Sequence, residues 1–590
     1  LPSVRPCTTI LVGSEASATG SPMVTHNADC DQCDFRINKV PAQSWNPAKD
    51  MRPIYYGKLS YPRLVSSSRG ETWKPGNLED MPQKRAWENS SIILDHIPQV
   101  ESTFALLEGL YGIMNEHQVA IGESSCGSML TAPSSAIGGH ARITTDQLSQ
   151  IALERCSSAR EAVQLIGKLA VELGFYGPEY DNTFMTNLEA GDALGVIDAK
   201  EAWLMHLSPD DTQASAIWVA QRLPDNGTAI VSNKFVIKEI DPKSEDFLFS
   251  SNIWDVANRT GLANYYNGKL HFSNTFWFPL GTKPGILPHH TYSSRRMWNY
   301  YRLVKPSLLL TPYPDPECND YPWYVVPDFK ISERFLLNFM RNHFEGTPFD
   351  MTEGLAAGPY GISDRFDFNA SLDGSLKADE VFWGLFERPV SMFRASYSFL
   401  ASPKKQLFSP LNTAAKIWFS QYDPSSSVYI PLYVSIKDIP PQYTSGSLFR
   451  YEPKSFFWAA ARVGNYARNF HMYTSPYISK LQTLLEDDFF ETVATTEEIL
   501  QQMFFSAAND DTNSLQMVQQ MAEEIISSQT LTLSQLAFDF WRDLFGYLLT
   551  HWHDGYQMNT TETELKVQKL FYPKKWLEQV GYFSSLNEEM

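Results

Sequence analysis

The sequence of 590 residues contains no run of 18 or more apolar residues. A helix that crosses a bilayer needs about 20 such residues, so no membrane-spanning segment is predicted. The first residues also lack the charged and apolar regions of a signal peptide. Because the sequence begins at Leu1 rather than Met, we expect that such a peptide has already been removed.

Positive charge is scarce as well. There are 48 Lys and Arg residues against 67 Asp and Glu, which gives a formal net charge of −19. Nucleic-acid-binding proteins cluster Lys and Arg on one surface, so a nucleic-acid partner is not expected. The 43% of hydrophobic and 13% of aromatic residues exclude a disordered chain and indicate a large core.

Cysteine is rare, and its pattern does not indicate a metal site. The chain has 6 cysteines, at Cys7, Cys30, Cys33, Cys126, Cys156 and Cys318. With Cys7 set aside the number is odd, which allows at most two disulfides and leaves a free thiol. Cys30 and Cys33 form a CxxC pair, but no second CxxC and no HxxxH pattern completes a zinc tetrahedron. A disulfide in an oxidising compartment is therefore favoured.

Motifs of several enzyme classes are missing, whereas glycosylation sequons are present. The sequence has no GxSxG elbow, P-loop or HExxH. Sequons favour a protein of the secretory pathway. We expect it to be either secreted or located in a lysosome or vacuole. Their acceptors are Asn89, Asn226, Asn258, Asn369 and Asn559. Asn226 is the strongest acceptor, because it lies in a turn sequence.

A β-hairpin is predicted at the start of the chain. A β-branched run follows Cys7, turn residues come next, and a second run covers 23–28 and leads to Asp29. If the residues before Cys7 are removed, its α-amine becomes a base within reach of its thiol. Their ordinary pKa values, about 7.7–8.0 and 8.5, suit this role near neutrality. The alternative is a buried strand cysteine or half of a disulfide.

The remaining periodicity predicts sheets covered by helices. Strand patterns over 91–124 and 183–240 flank a helical pattern over 144–174, which a capping box at Ser158 divides into two helices. The last part of the chain predicts helices over 496–503, 513–528 and 533–551. No repeat or low-complexity linker divides the chain, so one elaborated domain is expected. This order of elements argues against a parallel doubly wound fold.

Several segments, in one order, resemble the dipeptidase and secernin family of N-terminal-nucleophile cysteine peptidases. One motif would be weak, but so many in the same order make a specific signal. The resemblance extends from Cys7 to near the C-terminus. The matching segments are Cys7 to Ile10, Thr25 to Asp29, Met114 to Ser124, Gly195 to Trp203, Trp218 to Arg222, Val231 to Phe235, Ser294 to Trp298, Glu345 to Asp350, Gly354 to Pro359 and Tyr572 to Leu577.

The resemblance implies an α+β fold, the αββα four-layer sandwich of N-terminal-nucleophile hydrolases with two stacked antiparallel sheets. Residues 1–6 would be a propeptide-like segment and 7–590 a single domain, with a core over about 7–310 and an elaboration with terminal helices over about 311–590. The implied reaction is the hydrolysis of dipeptides and short peptides through a thioester acyl-enzyme. A peptide is thus the expected partner, and no metal or organic cofactor is needed. The oligomeric state stays open, with a homo-oligomer as one alternative.

The resemblance also assigns roles to individual residues. Cys7 is the nucleophile, and Asp29 orients its α-ammonium, unless Asp29 is only a turn or cap residue. His26 stands where related acylases carry an arginine, and the alternative is a neutral spacer. Asn233 matches a donor to the oxyanion, or else merely ends a strand. The second oxyanion position falls on Ser125, where a backbone N–H would serve.

Three further residue types are candidates for substrate recognition. Glu123 and Ser124 follow a predicted strand and could bind the α-ammonium of a dipeptide, although Glu123 could instead be an exposed strand-end residue. Arg295 and Arg296 could hold the nucleophile or a substrate carboxylate. Which of the two points inward cannot be read from the sequence, and an ordinary ion pair is the alternative.

The hexapeptide before Cys7 leads to two further hypotheses. While it is attached, the nitrogen of Cys7 is an amide and cannot act as a base, so we expect residues 1–6 to be removed. One alternative is a catalytically silent structural or binding glycoprotein of the same fold. The other is an amidase of this fold that acts on a different linear amide.

Overall fold

A computed structural model describes residues 7–30, 32–57, 61–63, 65–73, 92–177, 189–278, 292–312, 321–366, 386–404, 411–507, 512–560 and 564–582. The propeptide-like segment 1–6, Cys318 and the sequons at Asn89 and Asn369 lie outside these residues. The statements below on what the structure contains refer to the described ranges.

The strands are named in chain order. They are β1 (Thr9–Val12), β2 (Met23–Asp29), β3 (Asn38–Val40), β4 (Gln43–Ser44), β5 (Met51–Tyr55), β6 (Ile93–Pro98), β7 (Ser102–Thr103), β8 (Leu106–Glu108), β9 (Gly112–Asn115), β10 (Ala120–Cys126), β11 (Gly191–Ile197), β12 (Ala202–Pro209), β13 (Ala216–Arg222), β14 (Thr228–Val231), β15 (Phe247–Phe249), β16 (Tyr265–Tyr266), β17 (Lys269–Leu270), β18 (Ala395–Ala401), β19 (Lys416–Gln421), β20 (Ile430–Tyr433), β21 (Trp552–His553), β22 (Tyr556–Thr560) and β23 (Leu565–Lys569).

The α-helices are named in the same way. They are α1 (Thr145–Arg155), α2 (Ala159–Leu173), α3 (Ile253–Arg259), α4 (Phe272–Phe276), α5 (Ser294–Val304), α6 (Glu333–Phe339), α7 (Leu411–Ala414), α8 (Pro441–Thr444), α9 (Phe456–Ala467), α10 (His471–Ala507), α11 (Thr512–His551) and α12 (Lys574–Gln579). No helix in the described ranges is both long enough and apolar enough to span a membrane.

Two large antiparallel sheets dominate the fold. One has six strands in the order β14-β1-β2-β18-β19-β20, and the other has eight in the order β15-β13-β12-β11-β10-β9-β8-β3. The first sheet contains the predicted hairpin, because β1 pairs antiparallel with β2 through Leu11↔Val24 and Val12↔Met23. The bridge between Thr8 and Asn27 then holds Cys7 beside the end of β2. The structure confirms the predicted α+β fold with large antiparallel sheets.

Two glycines allow the sheets to approach closely where the hairpin crosses β10 and β11. Gly122 and Gly195 are direct partners across these two strands. A Cβ atom on Gly122 would lie 2.6 Å from the backbone oxygen of Thr25, and one on Gly195 would lie 3.1 Å from Leu11. Real Cβ atoms avoid a 2.6 Å contact, so a side chain at Gly122 would force the sheets apart. The close approach at Gly122 places β10 against the start of β1.

Helices cover the outer faces of both sheets. On the eight-stranded sheet, α2 buries Val163 and Ile166 in a cluster with Trp203 and Trp218. Ser158 caps this helix by accepting the N–H of Glu161 at 3.3 Å, as the capping box predicts. On the six-stranded sheet, β19 meets α10 and β20 meets α11.

Aromatic side chains join the second helical layer to its sheet. The ring of Trp418 on β19 lies 4.0 Å from that of Phe490 on α10, centroid to centroid. The indole of Trp541 on α11 donates to the backbone oxygen of Ser426 at 2.8 Å. Each amphipathic helix face thus has a sheet to cover, which gives the four-layer order.

The boundaries differ from the sequence-based ones in three places. Strands β18, β19 and β20 belong to the six-stranded sheet, so the division at about 310 does not coincide with the end of the sandwich. The helices expected over 513–528 and 533–551 are one helix, α11. Gln529, in the polar stretch between them, donates to the backbone oxygen of Thr492 on α10 at 3.1 Å, so this stretch packs against the neighbouring helix. The strand expected to continue past 231 ends there, and Asn233 has a φ of 63°.

Candidate active site

Cys7 is a buried, free thiol whose backbone is held firmly. Its exposed fraction is 4%, and it forms no disulfide. The backbone oxygen of Cys7 accepts hydrogen bonds from Arg296 Nη1 at 2.9 Å and from Ser124 Oγ at 3.3 Å. Burial, together with the nearby carboxylates of Glu123 and Asp29, raises the pKa of the thiol well above its ordinary value. The thiol therefore carries its proton in this state and needs a base before it can attack a carbonyl.

Asp29 ends β2 next to this thiol, and one of its carboxylate oxygens has no hydrogen-bond partner among the described residues. Oδ2 accepts from Arg388 Nη2 at 2.8 Å, whereas Oδ1 is buried and unpaired. Burial raises the pKa of Asp29 to about 7, although Arg388 and Arg296 act in the opposite direction. Near neutral pH this carboxyl is thus poised between its two forms, with one oxygen available for a donor.

Asn233 lies at the junction of the two sheets rather than simply ending a strand. Its backbone N–H donates to Ser124 Oγ at 3.0 Å, and its side-chain amide donates to the backbone oxygen of Ser125 at 2.6 Å. Its amide oxygen accepts from Arg296 Nη2 at 2.6 Å. Asparagine tolerates the left-handed φ of 63° better than most residues do. The amide is therefore fixed in position and orientation.

The structure shows which of the two neighbouring arginines points inward. Arg296 is fully buried and binds Cys7, Asn233 and the hydroxyl of Thr8, at 2.8 Å for the last. Burial and the charge of Arg388 lower the pKa of Arg296 to about 9. Arg295 points elsewhere, where it forms an ion pair with Glu387 at 3.1 Å. The sequence left open which of the two points inward, and in the structure it is Arg296, because consecutive helical residues face different directions.

Glu123 is fully buried within β10, so it is not an exposed strand-end residue. Its Oε1 accepts from Ser125 Oγ at 2.7 Å, and its Oε2 lies 3.3 Å from His26 Nε2. Ligand atoms of Cys7, His26 and Glu123 all lie within 4.8 Å of one another. His26 therefore lies close to Cys7 and packs among aromatic rings, including that of Tyr111, with ring centroids 5.8 Å apart.

The carboxyl group of Asp192, on β11, interacts with that of Glu123. Asp192 is buried and accepts a hydrogen bond from the hydroxyl of Thr145. Burial and the charge of Glu123 raise the pKa of Asp192 well above its ordinary value. Burial would also raise the pKa of Glu123, but interactions with His26, Asp192 and Ser125 outweigh it, and the pKa of Glu123 is lowered. The two shifts have opposite directions, so Glu123 gives up its proton more readily than Asp192 does.

Ser124 and Ser125 both lie in the site, where their side chains form hydrogen bonds to other residues of this chain. Ser124 joins Cys7 to Asn233, and Ser125 joins Glu123 to Asn233. Sequence reasoning did not find Arg388 or Asp192. Arg388 is far from Asp29 along the chain, in a region of weak periodicity, so only the fold pairs them.

The cysteines and sequons outside the site agree in part with expectation. Cys30 and Cys33 form a disulfide directly after Asp29, with Cα atoms 5.4 Å apart. Cys126 and Cys156 are buried free thiols. The sequon asparagines that the structure describes, Asn226, Asn258 and Asn559, are exposed. Glycosylation stays a prediction.

Comparison with known proteins gives one consistent result. The family described as Peptidase family C69 matches residues 108–483. A probable dipeptidase of Salmonella dublin is 23% identical over 447 residues, which cover 75% of this chain and 84% of that protein. A probable dipeptidase A of Streptococcus pyogenes serotype M3 is 22% identical over 549 residues, covering 90% and 97%. A dipeptidase of Bifidobacterium longum is 22% identical over 486 residues, covering 77% and 75%.

Proposed function

Because the chain belongs to peptidase family C69, we propose that it is a cysteine-type dipeptidase that acts through an N-terminal Cys7. Its substrates would be dipeptides and short peptides, and its intermediate a thioester. One observation supports this mechanism most. Cys7, which forms no disulfide and whose backbone oxygen is hydrogen-bonded, lies beside Asp29, and the buried Oδ1 of Asp29 has no hydrogen-bond partner among the described residues.

The unpaired oxygen suits the α-ammonium group that appears once residues 1–6 are removed. A buried carboxylate oxygen without a partner is costly, of the order of 1–3 kcal/mol, and normally has an explanation. An ammonium group on Cys7 would donate to Oδ1, while Arg388 continues to hold Oδ2. The added positive charge would also lower the pKa of Asp29 and keep it ionised at neutral pH.

The chemistry then uses groups of this chain, the substrate and water. The α-amine takes the thiol proton, and the sulfur attacks the scissile carbonyl carbon. The tetrahedral intermediate collapses, the C–N bond breaks, and the leaving amine takes the proton. Water, activated by the same amine, then attacks the thioester and releases the acid and the thiol. Cys7 acts as nucleophile and Asp29 orients the base.

Asn233 is suited to stabilise the oxyanion of both tetrahedral intermediates. An amide NH2 group has two hydrogens, and the bond to the Ser125 oxygen uses one of them. Arg296 binds the amide oxygen and so fixes the direction of the second hydrogen. Such a fixed donor contributes about 2.7–4 kcal/mol to the transition state in acyl transfer.

The test is dipeptide hydrolysis by the purified chain and by a matched pair of cysteine variants. We expect turnover by the native protein and by Cys156→Ala, and none by Cys7→Ala. Cys156 is a suitable control, because it is also buried and free but lies on the other side of the eight-stranded sheet. Equal activity of the native protein and Cys7→Ala would exclude Cys7 as the nucleophile. No turnover by any protein beginning at Cys7 would favour a silent binding protein.

Substrate class is tested on the same preparations. We expect dipeptides with a free α-amine to be hydrolysed faster than N-acyl amino acids of the same side chains. The reverse order would identify an amidase of the same fold.

A further inference from the structure

Two buried polar side chains, those of His26 and Glu123, lie beside the thiol of Cys7. His26 Nε2 and Glu123 Oε2 lie 3.3 Å apart and form an ion pair when the imidazole is protonated. Their side chains are 1% and 0% exposed. An imidazole, a carboxylate and a thiol, three groups that bind metal ions, therefore converge at one buried place.

The three side chains have the chemistry and spacing of a zinc site. Thiolate sulfur, imidazole nitrogen and carboxylate oxygen are the ligands that Zn²⁺ prefers. With ordinary Zn–N and Zn–O distances, two ligands of a tetrahedral ion lie roughly 3.4 Å apart. The observed 3.3 Å between His26 and Glu123 agrees with that edge, and Cys7 lies within 4.8 Å of both.

We propose that Cys7, His26 and Glu123 form an inhibitory Zn²⁺ site that blocks the nucleophile. The ion binds the sulfur of Cys7, the imidazole of His26 and Oε2 of Glu123, and water takes the fourth position. The thiol proton is released to solvent as the Zn–S bond forms. The sulfur lone pair is then used by the metal, so the peptidase reaction stops until the ion is removed.

The surroundings hold these ligands in place. Glu123 keeps its other oxygen on Ser125 Oγ at 2.7 Å, which orients Oε2 toward the site. His26 lies between the rings of Tyr111 and Phe399, with centroids 5.8 Å and 5.7 Å away. No ligand spacing in the sequence indicates the cluster, because its members lie before β1, on β2 and on β10.

Metal binding at this site can be measured whether or not the chain is a peptidase, whereas its inhibitory effect rests on the proposed function. Cobalt(II) is added to the metal-free full chain, and absorption is recorded for the charge-transfer band of a cobalt–thiolate bond. We expect one ion per chain with this band, displaced by Zn²⁺. Cys7→Ala should lose the band, whereas Cys156→Ala should keep it. His26→Gln and Glu123→Gln should weaken binding at least about tenfold.

Inhibition is measured separately, on the form that hydrolyses dipeptides. Zn²⁺ should abolish turnover, and a chelator should restore it. A cobalt complex without a thiolate band, or one that Cys7→Ala leaves intact, would overturn the site, whatever the peptidase activity. Faster turnover with Zn²⁺ would also overturn it, because the ion would then assist the reaction. The native protein's own spectrum decides the matter even where a variant does not fold.

Discussion

Asp29 and Arg388 form a buried ion pair of 2.8 Å between residues 359 positions apart in the sequence. Asp29 ends the second strand of the opening hairpin, and Arg388 precedes β18, the next strand in the same sheet. Arg388 is thereby placed to control the charge of the carboxylate that, in our proposal, orients the base.

Arg388→Gln should shift the pH dependence of dipeptide hydrolysis. Arg388 holds the pKa of Asp29 down against burial, so its loss should raise that pKa above its value in the native enzyme. The acidic limb of the kcat/KM profile should therefore move to higher pH. Arg295→Gln is the control, since Arg295 pairs with Glu387 instead. An unchanged profile for Arg388→Gln would show that Asp29 does not limit the reaction.

Stability of the unprocessed chain should fall between about pH 4 and pH 7. The pKa of Asp29 is about 7 in the folded state and 3.8 as its ordinary value, so the folded state binds the additional proton in this window. The contribution is fully present below pH 3.8 and is lost as the pH rises through about 7. It amounts to at most roughly 4 kcal/mol.

The measurement compares urea unfolding of Cys7→Ala with that of the double variant that also carries Asp29→Asn. Both proteins are used with residues 1–6 still attached, which intact-mass analysis checks, so that no ammonium group can pair with Asp29. The difference in unfolding free energy between the two should change with pH only in this window. A difference that is constant from pH 4 to pH 7 would refute the assignment of the titration to Asp29.

Asn233→Ala should lower kcat about 10²–10³-fold, because the amide that donates to the oxyanion is lost. The variant also places alanine at a φ of 63°. Asn233→Gly removes that backbone strain, and it should be as inactive as Asn233→Ala although more stable. Asn267→Ala, at a φ of 51° in an exposed turn, reports the cost of strain alone. Substantial activity in Asn233→Gly would contradict the oxyanion role.

Gly122→Ala should destabilise the protein by about 1–3 kcal/mol and reduce activity, because it separates the two sheets under the active site. Its Cβ atom would lie 2.6 Å from the backbone oxygen of Thr25. A backbone atom cannot rotate away as the end of a flexible side chain can, so the two strands must move apart. Gly546→Ala is the matched control in α11, where a Cβ atom has open space. That change should be neutral or should stabilise the helix by about 0.5–1 kcal/mol. Thermal unfolding of both variants checks the difference; equal stabilities would mean that the sheets can adjust.

Local patterns were sufficient for the hairpin of Cys7 and Asp29 and for helices α1 and α2, because strand and helix periods and the Ser158 cap act within a few residues. They failed for Arg388 and for the carboxyl pair of Glu123 and Asp192. These depend on strand order, since β18 lies next to β2 and β11 next to β10. No local pattern encodes such neighbours, and the same reason explains why Arg296 could not be separated from Arg295.

The proposed mechanism depends most directly on a free α-amine at Cys7. Intact-mass analysis and N-terminal sequencing of the native protein, after reaction with a thiol-reactive amide analogue, test it. The account predicts a chain that begins at Cys7 and carries one adduct on that residue. A chain that still begins at Leu1, hydrolyses dipeptides and leaves Cys7 unlabelled would contradict it.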